Sequence, residues 1–98
     1  MRAGTITDVQ DFPEAHNPSY KLTIDFGEHG IKHSSAQITT LYQKDELIYK
    51  QVFAVVNFPP KQIANFMSEC LVLGVIGKDK EVVVLQPERD VENGRRVG

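Results

Sequence analysis

The chain has 98 residues, 41% of them hydrophobic and 24% charged, an ordinary balance that fits one folded domain and excludes disorder and collagen-like structure. Eleven Lys and Arg stand against 13 Asp and Glu, with 5 basic and 7 acidic residues in Met1–Val56 and 6 of each in Asn57–Gly98. Neither half is a polycation, so net charge alone predicts no strong nonspecific attraction to nucleic acid or anionic lipid, although a local basic patch is allowed.

No apolar run approaches the roughly 20 residues of a bilayer span, and MRAGTITDVQ has no signal-peptide core. No membrane insertion and a cytoplasmic location are therefore expected. The single cysteine, Cys70, excludes an intramolecular disulfide and fits a reducing compartment. A chain this short buries only roughly 60–65% of its unfolded surface, so subunit pairing would help it.

Ala3–Phe12 opens with alternation around Ile6 and Val9 and stops at Pro13, which has no amide to donate. Glu14–Ser19, with Asn17-Pro18, reads as a turn. Tyr20–Phe26 is the clearest strand: Tyr20, Leu22, Ile24 and Phe26 face one way, Lys21, Thr23 and Asp25 the other. Gly27–Gly30 reads as a hairpin loop and Ile31–Ser35 as the returning strand. Gln37–Gln43 followed by Asp45–Ile48 looks like one or two short helical turns. Asp45 is placed to cap the second, and Glu46 suits its dipole. Gln51–Asn57 carries the run Val52–Val56, which suits a strand covered on both faces. Phe58-Pro59-Pro60 ends it, and Lys61–Asn65 reads as a loop or one turn. Glu69–Val75 and Glu81–Gln86 are further strands, separated by Gly77-Lys78-Asp79. Asn93-Gly94 is a turn signal, with Arg95–Val97 as a final short strand.

Five or six short strands with little helix leave no crossover for a parallel sheet. A small closed antiparallel barrel removes exposed edges most economically. A helical segment after three strands matches the OB-fold. The expected fold class is all-β, a five-stranded OB-fold barrel with short helical segments.

Two stretches carry a family resemblance: IKHSSAQITTLY at Ile31–Tyr42 and QVFAVVNFPPKQIANFMSECLVLG at Gln51–Gly74. With RAGTITDVQDFPEA near the start and VVVLQPERDVENGRRVG at the end, they closely resemble the CsaA family of bacterial secretion chaperones. They are also similar to the wider tRNA-binding domain found at the C-terminus of some methionyl-tRNA synthetases. The resemblance runs from Arg2 to Gly98. It implies an OB-fold core, a homodimer, no catalytic activity, no cofactor, and binding of unfolded preprotein segments on a tRNA-binding type of fold. The sequence departs from the family pattern in two places. The family carries a further segment before the Arg-x-Gly matched by Arg2–Gly4. The tRNA-binding relatives also place a basic pair and a glycine in the loop after the fourth strand, where Asn57–Asn65 has only Lys61 as a cation and Asn65 at the glycine position.

By resemblance, the positions implied for tRNA or structured RNA are Ser34, Ser35, Asn57, Lys61, Ser68 and Glu69. Hydroxyl and amide groups bond phosphate, sugar or base edges, and Lys61 is the phosphate candidate, supplemented by Lys32 and His33. The bland alternative is that Asn57 satisfies backbone at a strand end and Ser68-Glu69 shape a turn. Phe58, Ile63, Phe66 and Met67 form a second group. Four large apolar side chains on a proline-broken segment either contact unfolded polypeptide or plug the barrel and fill a dimer seam. Signals for catalysis are weak. His29 and His33 straddle Gly30 without a third metal ligand, and Cys70 sits in an apolar strand without a cationic activator. Glu88 and Asp90 read as solvated, and no phosphate-binding or dinucleotide motif is present.

Overall fold

The computed structural model describes residues 1–98. The strands are β1 (Arg2–Asp11), β2 (Tyr20–Asp25), β3 (Ile31–Ala36), β4 (Gln51–Val55), β5 (Lys61–Ile63), β6 (Phe66–Ser68), β7 (Leu71–Val72), β8 (Gly74–Ile76) and β9 (Val82–Val84). One short helix, α1 (Lys44–Leu47), and a 3-10 turn at Gly27–His29 complete the elements. The main sheet has the order β3-β2-β1-β4-β7, all neighbours antiparallel, with β5–β6 and β8–β9 as separate hairpins.

β1 serves two partners, and a bulge makes that possible. Its first residues pair with β4 and its later ones with β2. The register advances from Ile6↔Ile24 to Asp8↔Thr23, leaving Thr7 as the extra residue. The bulge bends the strand. It also brings both Ile6 and Val9 into the core, although a spacing of three would put them on opposite faces of a regular strand. Leu22, Ile24 and Phe26 join them from β2 and its end, Val52 and Ala54 from β4, and Cys70 and Val84 from beyond.

The cylinder is closed by side chains more than by a ladder. β7 is two residues long and pairs only with β4. Across the remaining gap the Glu69 amide donates to the His33 carbonyl at 2.7 Å, and the His33 amide donates to Glu69 Oε1 at 2.9 Å. The Ser35 amide donates to Ser68 Oγ at 3.2 Å, and Ser34 Oγ donates to the Cys70 carbonyl at 2.9 Å. These bonds form a seam that satisfies the edge of β3. The result is the expected five-stranded OB-fold barrel, nearly closed.

Several expectations are corrected. Gln37–Gln43 is not helical: Ile38 is anchored in the core, and Thr39–Leu41 form a turn. The cap of α1 is Gln43, not Asp45. The Gln43 amide donates to Glu46 Oε1 at 2.7 Å, and burial of Leu47 fixes where the turn must start. Lys61–Asn65 is the first half of the β5–β6 hairpin, because Ala64 adopts a left-handed φ of 52° and turns the chain back. β4 is covered on one face only: Val52 and Ala54 are buried, whereas Phe53 and Val55 face outward, half-buried. The strand expected over Glu69–Val75 is split into β7 and β8. Arg95–Val97 makes one bridge, Arg2↔Arg96, in place of a strand.

Gly4 is where β1 passes closest to the core. A Cβ there would lie 2.7 Å from Ile24 Cγ2 and from the Phe26 ring. Gly4→Ala is therefore expected to lower the unfolding free energy by about 1–3 kcal/mol. Urea titration checks this, and an unchanged midpoint would refute the packing assignment.

Candidate functional site

The outward face of β2 and β3 is set by register. Lys21 stands opposite Ser35, Thr23 opposite His33, and Asp25 opposite Ile31. Because Leu22 and Ile24 point inward, these side chains line the other face. Two irregular segments fold over one end of it: the loop after β1, beginning at Phe12, and the β5–β6 hairpin. Phe66 meets Phe12 edge-on at 5.4 Å between ring centroids and His33 at 6.3 Å. The Lys21 ammonium lies 5.1 Å from the Phe12 ring centroid and 5.7 Å from that of Phe66. The arrangement is a surface cleft only in outline: Phe12 is buried at 3% exposure, Phe66 is half-buried against it, and the Lys21 ammonium covers both rings.

His33 is held at its inner side. Glu69 Oε1 lies 3.0 Å from Nδ1 while also accepting the His33 backbone amide, and about half of the His33 side chain remains exposed. The His33 backbone N–H holds the Glu69 carboxyl below its ordinary value of 4.5, opposed by partial burial and aided by the His33 side chain. Cys70 lies directly behind this seam. Burial pushes its thiol up to about 11, against a weaker opposing hydrogen bond from Ser34, so it stays a neutral thiol at neutral pH.

The residues singled out from sequence fall into three groups. Ser34 and Ser68 are inside the wall, and their hydroxyls belong to the seam. Glu69 is partly exposed but engaged with His33. Ser35 is half-buried on the outward face, while Asn57 on the bend after β4 and Lys61 on β5 are exposed. Lys61 stands opposite Ser68 in the hairpin and so borders the seam. In the apolar group, Phe66 packs into the cleft wall, Phe58 and Ile63 are half-buried, and Met67 is 48% exposed. The structure thus brings the two groups to one place, since β5–β6 carries Lys61, Ile63, Phe66, Met67 and Ser68 within two short strands.

Phe12 and Lys21 were not singled out by sequence. Phe12 looks like the last residue of a strand, and Lys21 like an ordinary outward-facing lysine. No local pattern links either to Phe66. Elsewhere, no three His, Cys, Asp or Glu side chains converge as metal ligands, and His29 and His33 are both exposed. No helix is long and apolar enough to cross a membrane.

Comparison with known proteins returns one consistent group. Residues 1–96 match the family described as "Putative tRNA binding domain". A chaperone CsaA structure from Bacillus anthracis str. Ames is 50% identical with a TM-score of 0.94, covering 99% of this chain and 88% of that one. A CsaA chaperone protein structure from Picrophilus torridus is 55% identical with a TM-score of 0.92, covering 99% and 89%. Among curated proteins, the methionine–tRNA ligase of Leptospira biflexa is 34% identical over 94 residues, or 96% of this chain. That of Nanoarchaeum equitans is 35% identical over 97 residues, or 99% of this chain. The chain spans only 14% and 12% of the length of those ligases.

The seam has an acid-sensitive contact. Because the folded-state pKa of Glu69 is depressed, its stabilisation is complete at neutral pH and is lost as pH falls below 4.5 through the folded-state value. Glu69→Gln keeps an acceptor for the His33 amide but cannot titrate. The wild type is therefore expected to lose more stability than Glu69→Gln between pH 6 and pH 3. Urea midpoints at the two pH values test this, and parallel losses would count against it.

Proposed function

The chain belongs to the tRNA-binding domain family, in its CsaA branch, and from that premise we propose that it is a non-catalytic, homodimeric chaperone that holds unfolded preprotein segments in the cleft beside β5–β6. The observation that carries this reading is the composition of that hairpin and its approach. Ile63 and Met67 present partly open apolar surface beside Phe66 on the hairpin, and Phe58, half-buried, precedes it in the chain. An adaptable thioether beside fixed rings suits extended chain of varied sequence. Nothing in the cleft forms a nucleophile–base pair, and the buried thiol is protonated. Holding without turnover is the reading that the apolar hairpin supports, and a cytoplasmic setting before export fits the lone cysteine.

A second reading, binding of tRNA or structured RNA, is favoured by a specific feature: Lys21 over two aromatic rings, with His33 against Phe66, Ser35 opposite Lys21 in the register and Lys61 on the adjoining hairpin. Partly open rings, here Phe66 and His33, flanked by cations on the outward face of the second and third strands are what an OB barrel uses for single-stranded or looped nucleic acid. Ser34, Ser68 and Glu69 then act by positioning the wall, while Ser35, Asn57 and Lys61 reach the ligand.

The homodimer has a surface that suits it. Val55 pairs with Leu71, Leu73 bonds Phe53 and Leu85, and Val75 pairs with Val83, so these side chains share the outer face of β4 and the last strands. Leu71, Val75 and Val83 are each at least half exposed. The face continues into an open cavity of about 590 Å³ bordered by Phe53, Pro87, Val91 and Val97 on its apolar side and by Glu92, Arg95 and Arg96 at its polar rim. An apolar area of this extent fits a subunit interface, and its continuity across β4, β7, β8 and β9 favours a second copy as occupant.

Two measurements test these readings. A labelled unfolded presequence peptide and labelled tRNA are titrated separately at two salt concentrations. Met67→Ser, which removes an exposed thioether without disturbing the Phe12–Phe66 pair, is expected to weaken peptide binding about ten-fold. Lys61→Ala is expected to spare peptide binding and to reduce the salt slope of RNA binding by about 1. Tight tRNA binding with no peptide binding would remove the chaperone reading. Light scattering should give twice the 11.0 kDa chain mass, and Val83→Glu should give monomer. A wild-type monomer would refute the interface.

A further inference from the structure

At the opposite end of β2 and β3 from the cleft, the start of β1, the Gly27–Gly30 turn and the C-terminal segment surround a polar cavity of about 470 Å³ with no hydrophobic lining. Arg2, Arg95 and Arg96 line it, with His29, Glu28 and Glu92. In a chain of net charge −2, it gathers three of the eleven basic residues in one place.

The arginines are arranged for a ligand rather than for each other. Arg2 and Arg96 stand opposite in an antiparallel bridge, which puts two like charges on the same side. Such a pair is destabilising when nothing offsets it, and neither residue has a carboxylate partner among the ion pairs of the molecule. Arg95 reaches only Glu92, at 3.8 Å, with both side chains more than two-thirds exposed, so that pair holds little. Arg2 is fixed in place, its Nη1 donating to the Gly94 carbonyl at 2.9 Å. The floor beneath is rigid. Gly94 has φ +92°, and a Cβ on it would lie 2.4 Å from the Phe26 carbonyl oxygen. A Cβ on Gly27 would lie 2.5 Å from the Asn93 carbonyl oxygen, so the two turns meet backbone to backbone.

Guanidinium forks match phosphate oxygens bidentately. The carboxylates of Glu28 and Glu92 accept hydrogen bonds from hydroxyls. Apart from His29 no ring is present for a base to stack on, and the cavity is larger than one phosphate requires. A ligand with phosphates and hydroxyls but no need of stacking is a sugar–phosphate chain. We propose that this cavity binds the sugar–phosphate backbone of RNA, as a second contact separate from the cleft. The proposal rests on the RNA reading above and deepens it: the cleft would take bases, the arginine cavity the backbone.

The test uses the full chain with Arg95→Gln and Arg96→Gln combined. Arg2 is left intact because it holds Gly94. Binding of labelled tRNA is measured across a salt series, alongside the unfolded peptide. The double variant should reduce the salt slope by about 2 and the low-salt affinity about ten-fold or more. Arg95 and Arg96 also border the cavity beside Phe53 and Val97, so mass by light scattering is read alongside. Melting temperature, mass and peptide binding should match wild type, and a change of mass would assign the two arginines to the subunit interface and overturn the inference. Adding Lys61→Ala should remove about one further unit of slope, because the two sites are separate. Arg96→Lys alone, which keeps the charge, should retain the slope. If wild type binds tRNA and the double variant keeps both affinity and slope, the inference fails and the RNA reading stands. Loss of peptide binding in place of RNA binding would also overturn it, by assigning the cavity to polypeptide. A wild type that binds no tRNA would overturn both.

Discussion

The seam between β3 and residues 68–70 is the constraint on which the rest depends. A sheet with edges at β3 and β7 would leave a row of unpaired amides and carbonyls. Four hydrogen bonds with nitrogen or oxygen donors join them by satisfying backbone amides or carbonyls, three of them using a side chain from Ser34, Ser68 or Glu69, and the His33 ring adds a contact to Glu69. Each contributes only about 1 kcal/mol net, yet a buried group left without its partner costs about 1–3 kcal/mol. Losing one therefore weakens the closure by more than the bond's own strength. Ser34 is fully buried, so its hydroxyl has no alternative partner in water.

The same seam positions the cleft. Glu69 holds both the backbone and the ring of His33, and the β5–β6 hairpin enters the wall through Ser68. Phe66, two residues earlier, is thereby set against Phe12 and His33. Closure of the barrel and orientation of the aromatic wall are one arrangement, which explains why polar residues of the resembling motif lie inside the wall instead of on the surface. The two faces divide chemically. The β2–β3 face carries Lys21, Thr23, His33 and Ser35, whereas the β4–β9 face carries Leu71, Leu73, Val75 and Val83.

Much of the fold was legible because burial imposes a period. Tyr20–Phe26 alternates and contains β2 up to Asp25, and the family motifs around Ile31–Tyr42 and Gln51–Gly74 point to the OB-fold barrel that is observed. The errors have local causes. Thr7 is a bulge, but nothing in TITDV distinguishes it from an alternating strand. Ala64 takes a left-handed φ without being Gly or Asn, so the hairpin it turns had no turn signature. The Val52–Val56 run implied cover on both faces because hydrophobicity reports what avoids water, not which surface of the chain, or of a second chain, supplies the cover.

The candidate site was legible only as separate residues. Lys61, Ser35 and Phe66 stand in motifs that point to binding, whereas Phe12 and Lys21 do not, and the β5–β6 hairpin mixes Lys61 and Ser68 of the polar group with Ile63, Phe66 and Met67 of the apolar one. By itself the sequence determined the first four strands, the inward residues of β2 and the family, because these follow from side-chain periodicity and contiguous motifs. Only the tertiary structure decided that Ser34 and Ser68 close a wall, that Lys21 sits over two rings, and that Arg2 faces Arg96 from 94 residues away. Those placements depend on which strands become neighbours when the sheet curls, and sequence distance carries no information about that.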